Sequence, residues 1–110
     1  VVSEKKIFTY EEARALLPEV QRLTREAQAR IEGLQSGSDP EGRAGSAQAR
    51  LEGIANDWAQ AVMAMGIEVK GLWLVDFDNG SGYYCWQHPE DTLDFYHSYD
   101  DGFRGRMRIQ

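Results

Sequence analysis

A chain of 110 residues is long enough for one domain with a modest core, and its net charge of -6 with no basic stripe excludes phosphate-backbone binding, so no nucleic acid is expected as a partner. A single cysteine rules out an internal disulfide, no apolar run approaches the ~20 residues needed to span a bilayer, and no signal-peptide core is visible; the sequence predicts a cytoplasmic protein without membrane contact. An apolar share of 42% beside 27% charged residues suits an elongated molecule, or one that completes its core by association.

The first element starts in "FTYEEARALLPEV". Thr9 and Glu12 have the T-x-x-E spacing of a capping box, in which each side chain satisfies an orphan amide at a helix start. Ala13, Leu17, Val20, Thr24, Ala27, Ile31 and Leu34 follow at spacings of three and four, a one-faced seam that Leu16 and Leu23 widen. Pro18 removes one backbone bond, which predicts a kink or irregular turn near Arg14. "GLQSGSDPEG" then predicts a loop near residues 35–42. A second helix is expected from about Gly42 to Met65, with its seam at Ala44, Ala47, Leu51, Ile54, Trp58, Ala61 and Met65, and Gly66 placed to end it.

Two such helices, with seams of the coiled-coil kind, predict a long antiparallel helical hairpin over residues 9–66. One small sheet cannot cover all its apolar stripe. Trp58, Val62 and Met63 on adjoining faces therefore predict a homodimer built by the helices. A groove for a partner helix is the sharper reading of these seams; core plus dimer contact is the commoner one.

After Gly66 the hydrophobic period changes to two. "IEVKGLWLVDF" is expected as one strand, "DNGSG" as a hairpin turn, "YYCWQ" as a strand, "HPED" as a turn and "TLDFYHSY" as a third strand. The fold class expected is α+β in one domain: the hairpin, a three-stranded antiparallel β-meander and a short C-terminal arm over residues 67–110. Charge is uneven within that second half. Lys70 stands alone against eight acids between residues 67 and 103, while Arg104, Arg106 and Arg108 crowd the arm.

Chemistry-bearing residues concentrate in residues 83–106. Cys85-x2-His88 with His97 offers zinc-type donors, but only one close pair is present, where structural zinc sites show two. If Gln87 pairs with Thr92, Cys85 faces Asp94 and points away from His97; a one-residue change in the turn reverses that relation, and the sequence leaves it open. Zinc or iron on Cys85, His97 and acids of the meander is thus the alternative to a site with no cofactor. A nucleophilic Cys85 lacks support, because a mid-strand cysteine is more often a small buried hydrophobe. Asp94 and Asp76 could approach one another on adjacent strands, but acids on an exposed sheet face are ordinary.

"DDGFRGR" suggests a binding site instead. Its glycines can turn amides toward an anion, and an arginine can clamp a carboxylate or phosphate. Trp86, His97, Asp100, Gly102 and Arg106 form the candidate site, suited to a small anion or an acidic protein partner. The plainer reading is that Arg106 pairs with Asp100, Asp101 or a sheet acid and ties down the arm.

The ordered set Asp76-Phe77, Cys85-Trp86, Glu90, His97, Gly102-Phe103 and Gly105-Arg106, preceded by "FTYEEARALLPEV" and "GLWLVDF", resembles the bacterial family Domain of Unknown Function 2203. The resemblance runs from Phe8 to Ile109. It departs at Pro89, where members typically carry glycine, and His88 is not part of the pattern. It implies a bacterial cytosolic protein and supplies no reaction. The function expected is a non-catalytic dimeric interaction or regulatory module; the alternative is a metal-binding protein or enzyme using Cys85, His97 and acids of the meander.

Overall fold

The computed structural model describes residues 6–36 and 44–109. Helix α1 spans Tyr10–Ser36 and α2 spans Ala44–Met63. Strands β1 (Glu68–Gly71), β2 (Leu74–Asp78), β3 (Gly82–Gln87), β4 (Phe95–Ser98) and β5 (Met107–Arg108) follow, with a 3-10 turn over Phe103–Gly105. The class is α+β. Every strand pairs antiparallel with its sequence neighbour, in the order β1-β2-β3-β4-β5.

The α1 start is the capping box. Thr9 N–H donates to Glu12 Oε1 at 2.9 Å, and Glu12 N–H donates to Thr9 Oγ1 at 3.1 Å. The helix is continuous through Pro18. Its seam residues Ala13, Leu17, Val20, Thr24 and Ala27 are buried, as are Ile54, Trp58 and Val62 of α2. Thr24 joins the two helices. Its hydroxyl donates to the Val20 carbonyl at 2.8 Å and accepts from Trp58 Nε1 at 2.9 Å, so a buried hydroxyl and a buried indole satisfy one another. The expected loop near 35–42 falls mostly outside the described residues. Gly66 ends the helical region at φ 86, where Lys6 also packs too close for a Cβ.

The sheet has five strands rather than the expected three. "IEVKGLWLVDF" breaks into β1 and β2, with an irregular register between Val69 and Gly71 and a turn at Leu72 and Trp73. Glycine contributes least to a strand there, and Leu72 and Trp73 put apolar side chains in both alternation phases. The second extra strand is part of the arm: Met107 and Arg108 pair with Tyr96 and Phe95 of β4.

One face of the sheet meets the helices. Val75, Phe77 and Trp86 join Ile67, Leu93 and the helical seams in a single buried cluster. Edge-to-face ring pairs connect the layers: Trp58 with Trp73 at 4.8 Å, Phe8 with Phe77 at 5.4 Å and Tyr10 with Tyr84 at 5.5 Å. Trp58 is 3% exposed and Val62 is fully buried within a single chain, so only Met63 of the three residues expected at a dimer contact is exposed. Among the described residues, no helix is long and apolar enough to cross a membrane.

Candidate metal centre

Side chains alternate along a strand, so the residues between Val75, Phe77 and Trp86 face away from the helices. The register decides which of them meet. Asp76 pairs with Cys85 across β2 and β3, and Tyr83 pairs with His97 across β3 and β4. Cys85 stands opposite Phe95 rather than Asp94. Cys85 and His97 therefore share a face. The connection between Gln87 and Phe95 is longer than a four-residue turn, and Glu90 shapes it by accepting from Gln87 N–H at 2.8 Å through Oε1.

Asp76, Cys85 and His97 are each at most 2% exposed, and one donor atom from each lies within 4.8 Å of the others. They are buried because the arm folds over this face. Tyr99, Gly102 and Phe103 wall a cavity of about 260 Å³ that reaches all three residues, with Lys70, Leu74 and Tyr83 on its other sides.

His97 has both ring nitrogens against oxygen. Nδ1 is 2.8 Å from the Ser98 carbonyl, and Nε2 is 3.0 Å from Asp76 Oδ2. A carbonyl only accepts, so Nδ1 carries a proton. Nε2 then either carries a second proton shared with Asp76 or aims a lone pair, together with the carboxylate, at a cation. The remaining Asp76 oxygen favours the cation. Oδ1 is buried without a hydrogen-bond partner among the described residues, a costly state for a carboxylate.

Burial, followed by the adjacent Asp76 charge, pushes the Cys85 thiol up to about 12. Arg106 counters weakly, with Nη1 at 4.0 Å from Sγ. A raised thiol is the opposite of what a nucleophile needs. Among the described residues no hydrogen bond joins Cys85 to His97, whose nitrogens meet the Ser98 carbonyl and Asp76, so no Cys–His–Asp relay forms. A divalent ion would displace the thiol proton and use Sγ, Nε2 and the Asp76 carboxylate together.

Zinc bonds of about 2.0–2.3 Å put tetrahedral donors roughly 3.3–3.6 Å apart. Asp76 and His97 already meet at 3.0 Å and all three donors lie within 4.8 Å of one another, so small side-chain adjustments close the set. The donors suit zinc or iron. Calcium and magnesium want all-oxygen shells.

The other candidate residues scatter. Trp86 lies on the helix-facing side, where its Nε1 donates to the Glu90 carbonyl at 2.7 Å. Asp100 is exposed in the turn after β4. Gly102 has φ 71 and lines the cavity. Arg106 holds Glu90, with Nη1 at 3.1 Å from Oε1 and Nη2 at 2.8 Å from Oε2, and its guanidinium lies over the Phe95 and Phe103 rings. His88 packs against Trp86 rather than joining Cys85. From sequence, Asp76 stands as half of a carboxylate pair and as part of the family pattern, not as a named metal ligand. The signal for its role was an acid in phase with Cys85, between Val75 and Phe77 on an otherwise apolar strand.

Comparison with curated proteins and with solved structures gives no match. The family model described as "Uncharacterized conserved protein (DUF2203)" matches residues 6–109, and the chain belongs to that family.

Proposed function

We propose that this chain is a metal-binding protein with one zinc or iron ion held by Asp76, Cys85 and His97. The observation that carries the reading is the buried Asp76 carboxylate, whose Oδ1 has no hydrogen-bond partner among the described residues beside a thiol and an imidazole lone-pair position. A purely structural Asp76–His97 pair would leave that oxygen nothing better than the weakly donating Cys85 thiol, which lies against Asp76. This reading favours the alternative drawn from sequence over the interaction module. A cytoplasmic setting accords with it, since a reducing compartment keeps Cys85 available for coordination. The test is elemental analysis of protein purified without a nickel column. One zinc or iron per chain, lost in Asp76→Asn and in His97→Gln, is the expected result; metal-free protein that takes up neither ion on addition overturns the reading.

The second reading is a dimer through the helices, and Met63 on α2, 45% exposed, favours it. In that reading α1 and α2 run antiparallel as a hairpin. The support is positional: Thr24 meets Trp58, Arg30 meets Asp57 at 3.8 Å, and Leu34 shares a groove with Arg50 and Gly53. Positions thus rise along α1 as they fall along α2. Light scattering tests association, with a monomer of 12.5 kDa as the outcome against it.

A further inference from the structure

We infer that the fourth coordination position of the Asp76–Cys85–His97 centre is open to the cavity beside it and takes water or a small monocarboxylate; this rests on the metal reading above.

The donors left in the chain give the first argument. A closed four-ligand site needs one more Cys, His, Asp or Glu. The chain has one cysteine and two histidines. The second histidine, His88, packs its ring 6.3 Å from Trp86, whose side chain belongs to the helix-facing core. Among the described residues the cluster contains these three members and no fourth. Carboxylates around this face are engaged elsewhere. Asp78 Oδ1 accepts from Tyr99 O–H at 2.6 Å and from Gly80 N–H at 2.9 Å. Glu90 is held by Arg106 and by the Gln87 amide. Glu68 accepts from Tyr83 O–H at 3.1 Å and pairs with Lys70 at 3.1 Å. Among the described residues none supplies a fourth donor, which leaves the position to a ligand from solution.

Space and charge give the second argument. The cavity of about 260 Å³ reaches all three ligands. Water takes about 30 Å³ of liquid volume, so a ligand of several heavy atoms also fits. Leu74 and Phe103 supply apolar walls, and Phe103 is 40% exposed. One carboxylate and one thiolate cancel the charge of a divalent ion, so the centre itself does not repel an anion. Arg106, 4.0 Å from Sγ, and Lys70, on the cavity wall, balance Glu90 and Glu68, so those two carboxylates add no net charge that would turn a monoanion away. A carboxylate on a short apolar body matches both features: its oxygen meets the metal and its body meets Leu74 and Phe103.

Cobalt(II) provides the readout, because it accepts zinc-type donor sets and its visible bands follow coordination. The experiment loads the full chain with Co2+ and titrates acetate and then azide. The expected result is one Co2+ per chain and a saturable shift of the visible bands with each anion. Leu74→Trp, which fills the cavity, should keep one Co2+ and lose the acetate shift. Bound Co2+ whose bands neither anion moves means a closed site: the inference fails while the metal reading stands. An acetate shift of full size in folded Leu74→Trp also overturns the cavity as the ligand's location. No Co2+ binding by the parent chain overturns the metal reading and this inference together.

Discussion

The Arg106 guanidinium grips Glu90 through both terminal nitrogens, at 3.1 and 2.8 Å, while it lies over the Phe95 and Phe103 rings at 4.1 and 4.2 Å. This one residue ties the arm to the β3–β4 connection and keeps the arm over the buried cluster. Its side chain is 14% exposed and that of Glu90 is 23%, so solvent screens the pair only partly. Arg106→Gln and Glu90→Gln should each destabilise the fold, and a double-mutant cycle should give a coupling of about 0.5–3 kcal/mol. Urea denaturation measures it. A coupling near zero would assign Arg106's contribution to ring stacking alone.

Metal removal should lower the stability of the parent chain. A ligand that binds only the folded state adds ~4 kcal/mol when present at a thousand times its dissociation constant. Chelator should therefore lower the thermal midpoint of the parent and leave Asp76→Asn unmoved. An equal drop in the two proteins would mean the chelator acts elsewhere.

The Cys85 thiol gives a pH prediction for the metal-free chain. Its folded value is raised to about 12, by burial first and the Asp76 charge second, against an unfolded value near 8.5. The folded chain then holds the thiol proton more tightly than the unfolded chain. The associated stability is fully present below the unfolded value and is lost as pH rises through the folded value. Two measurements follow: alkylation at pH 8 should be slow until denaturant is added, and this stability should decline as pH rises above about 8.5. Fast alkylation of folded protein would contradict both the burial and the raised thiol.

Local patterns were legible where the responsible forces are local. Thr9 and Glu12 lie three residues apart and make the two capping bonds that spacing requires. The α1 seam from Ala13 to Ala27 is buried as its period implies. β5 was not legible: two residues, Met107 and Arg108, carry no period, and only the free edge of β4 makes them a strand. Cys85 and His97 were visible as donor types, but the shared face depended on a pairing register one residue from the expected one, with Cys85 opposite Phe95 instead of Asp94. Asp76 looked like an ordinary surface acid. It is buried because an arm some 25 residues downstream folds across it, and no local pattern encodes that. Trp58 shows the reverse case: its apolar surface suggested a second chain, yet Trp73 and Thr24 of the same chain take it up.

Trp58 therefore separates fold from association. Trp58→Ala should cost about 3–5 kcal/mol of stability as a buried aromatic truncated in the core. Trp58→Phe should lose the indole bond to Thr24, about 1 kcal/mol net, and leave a smaller cavity than the alanine variant, so its total loss should be the lesser of the two. Denaturation of the two variants checks the ratio. Equal losses would mean the indole N–H, not the ring, carries the contribution of this residue.

Gly82 tests whether the sheet positions the centre. It pairs with Ser98 at the His97 end of β4. A Cβ at Gly82 would overlap the His97 carbonyl oxygen and come within 3.1 Å of Ser98 Cα, and both are backbone atoms that cannot rotate away. Gly82→Ala must therefore push β4 from β3, at a cost of about 1–3 kcal/mol in the range of overpacked cores. The displacement acts on His97 directly, because its Nδ1 is fixed by the Ser98 carbonyl and its Nε2 must meet Asp76 across two strands. Gly82→Ala should thus reduce metal per chain along with stability, whereas Gly53→Ala, with nothing within 4 Å of its added Cβ, should change neither binding nor fold adversely. Metal content and urea midpoints of the two variants decide it. A Gly82→Ala protein with full metal content and the parent midpoint would show that β4 does not set the geometry of the centre.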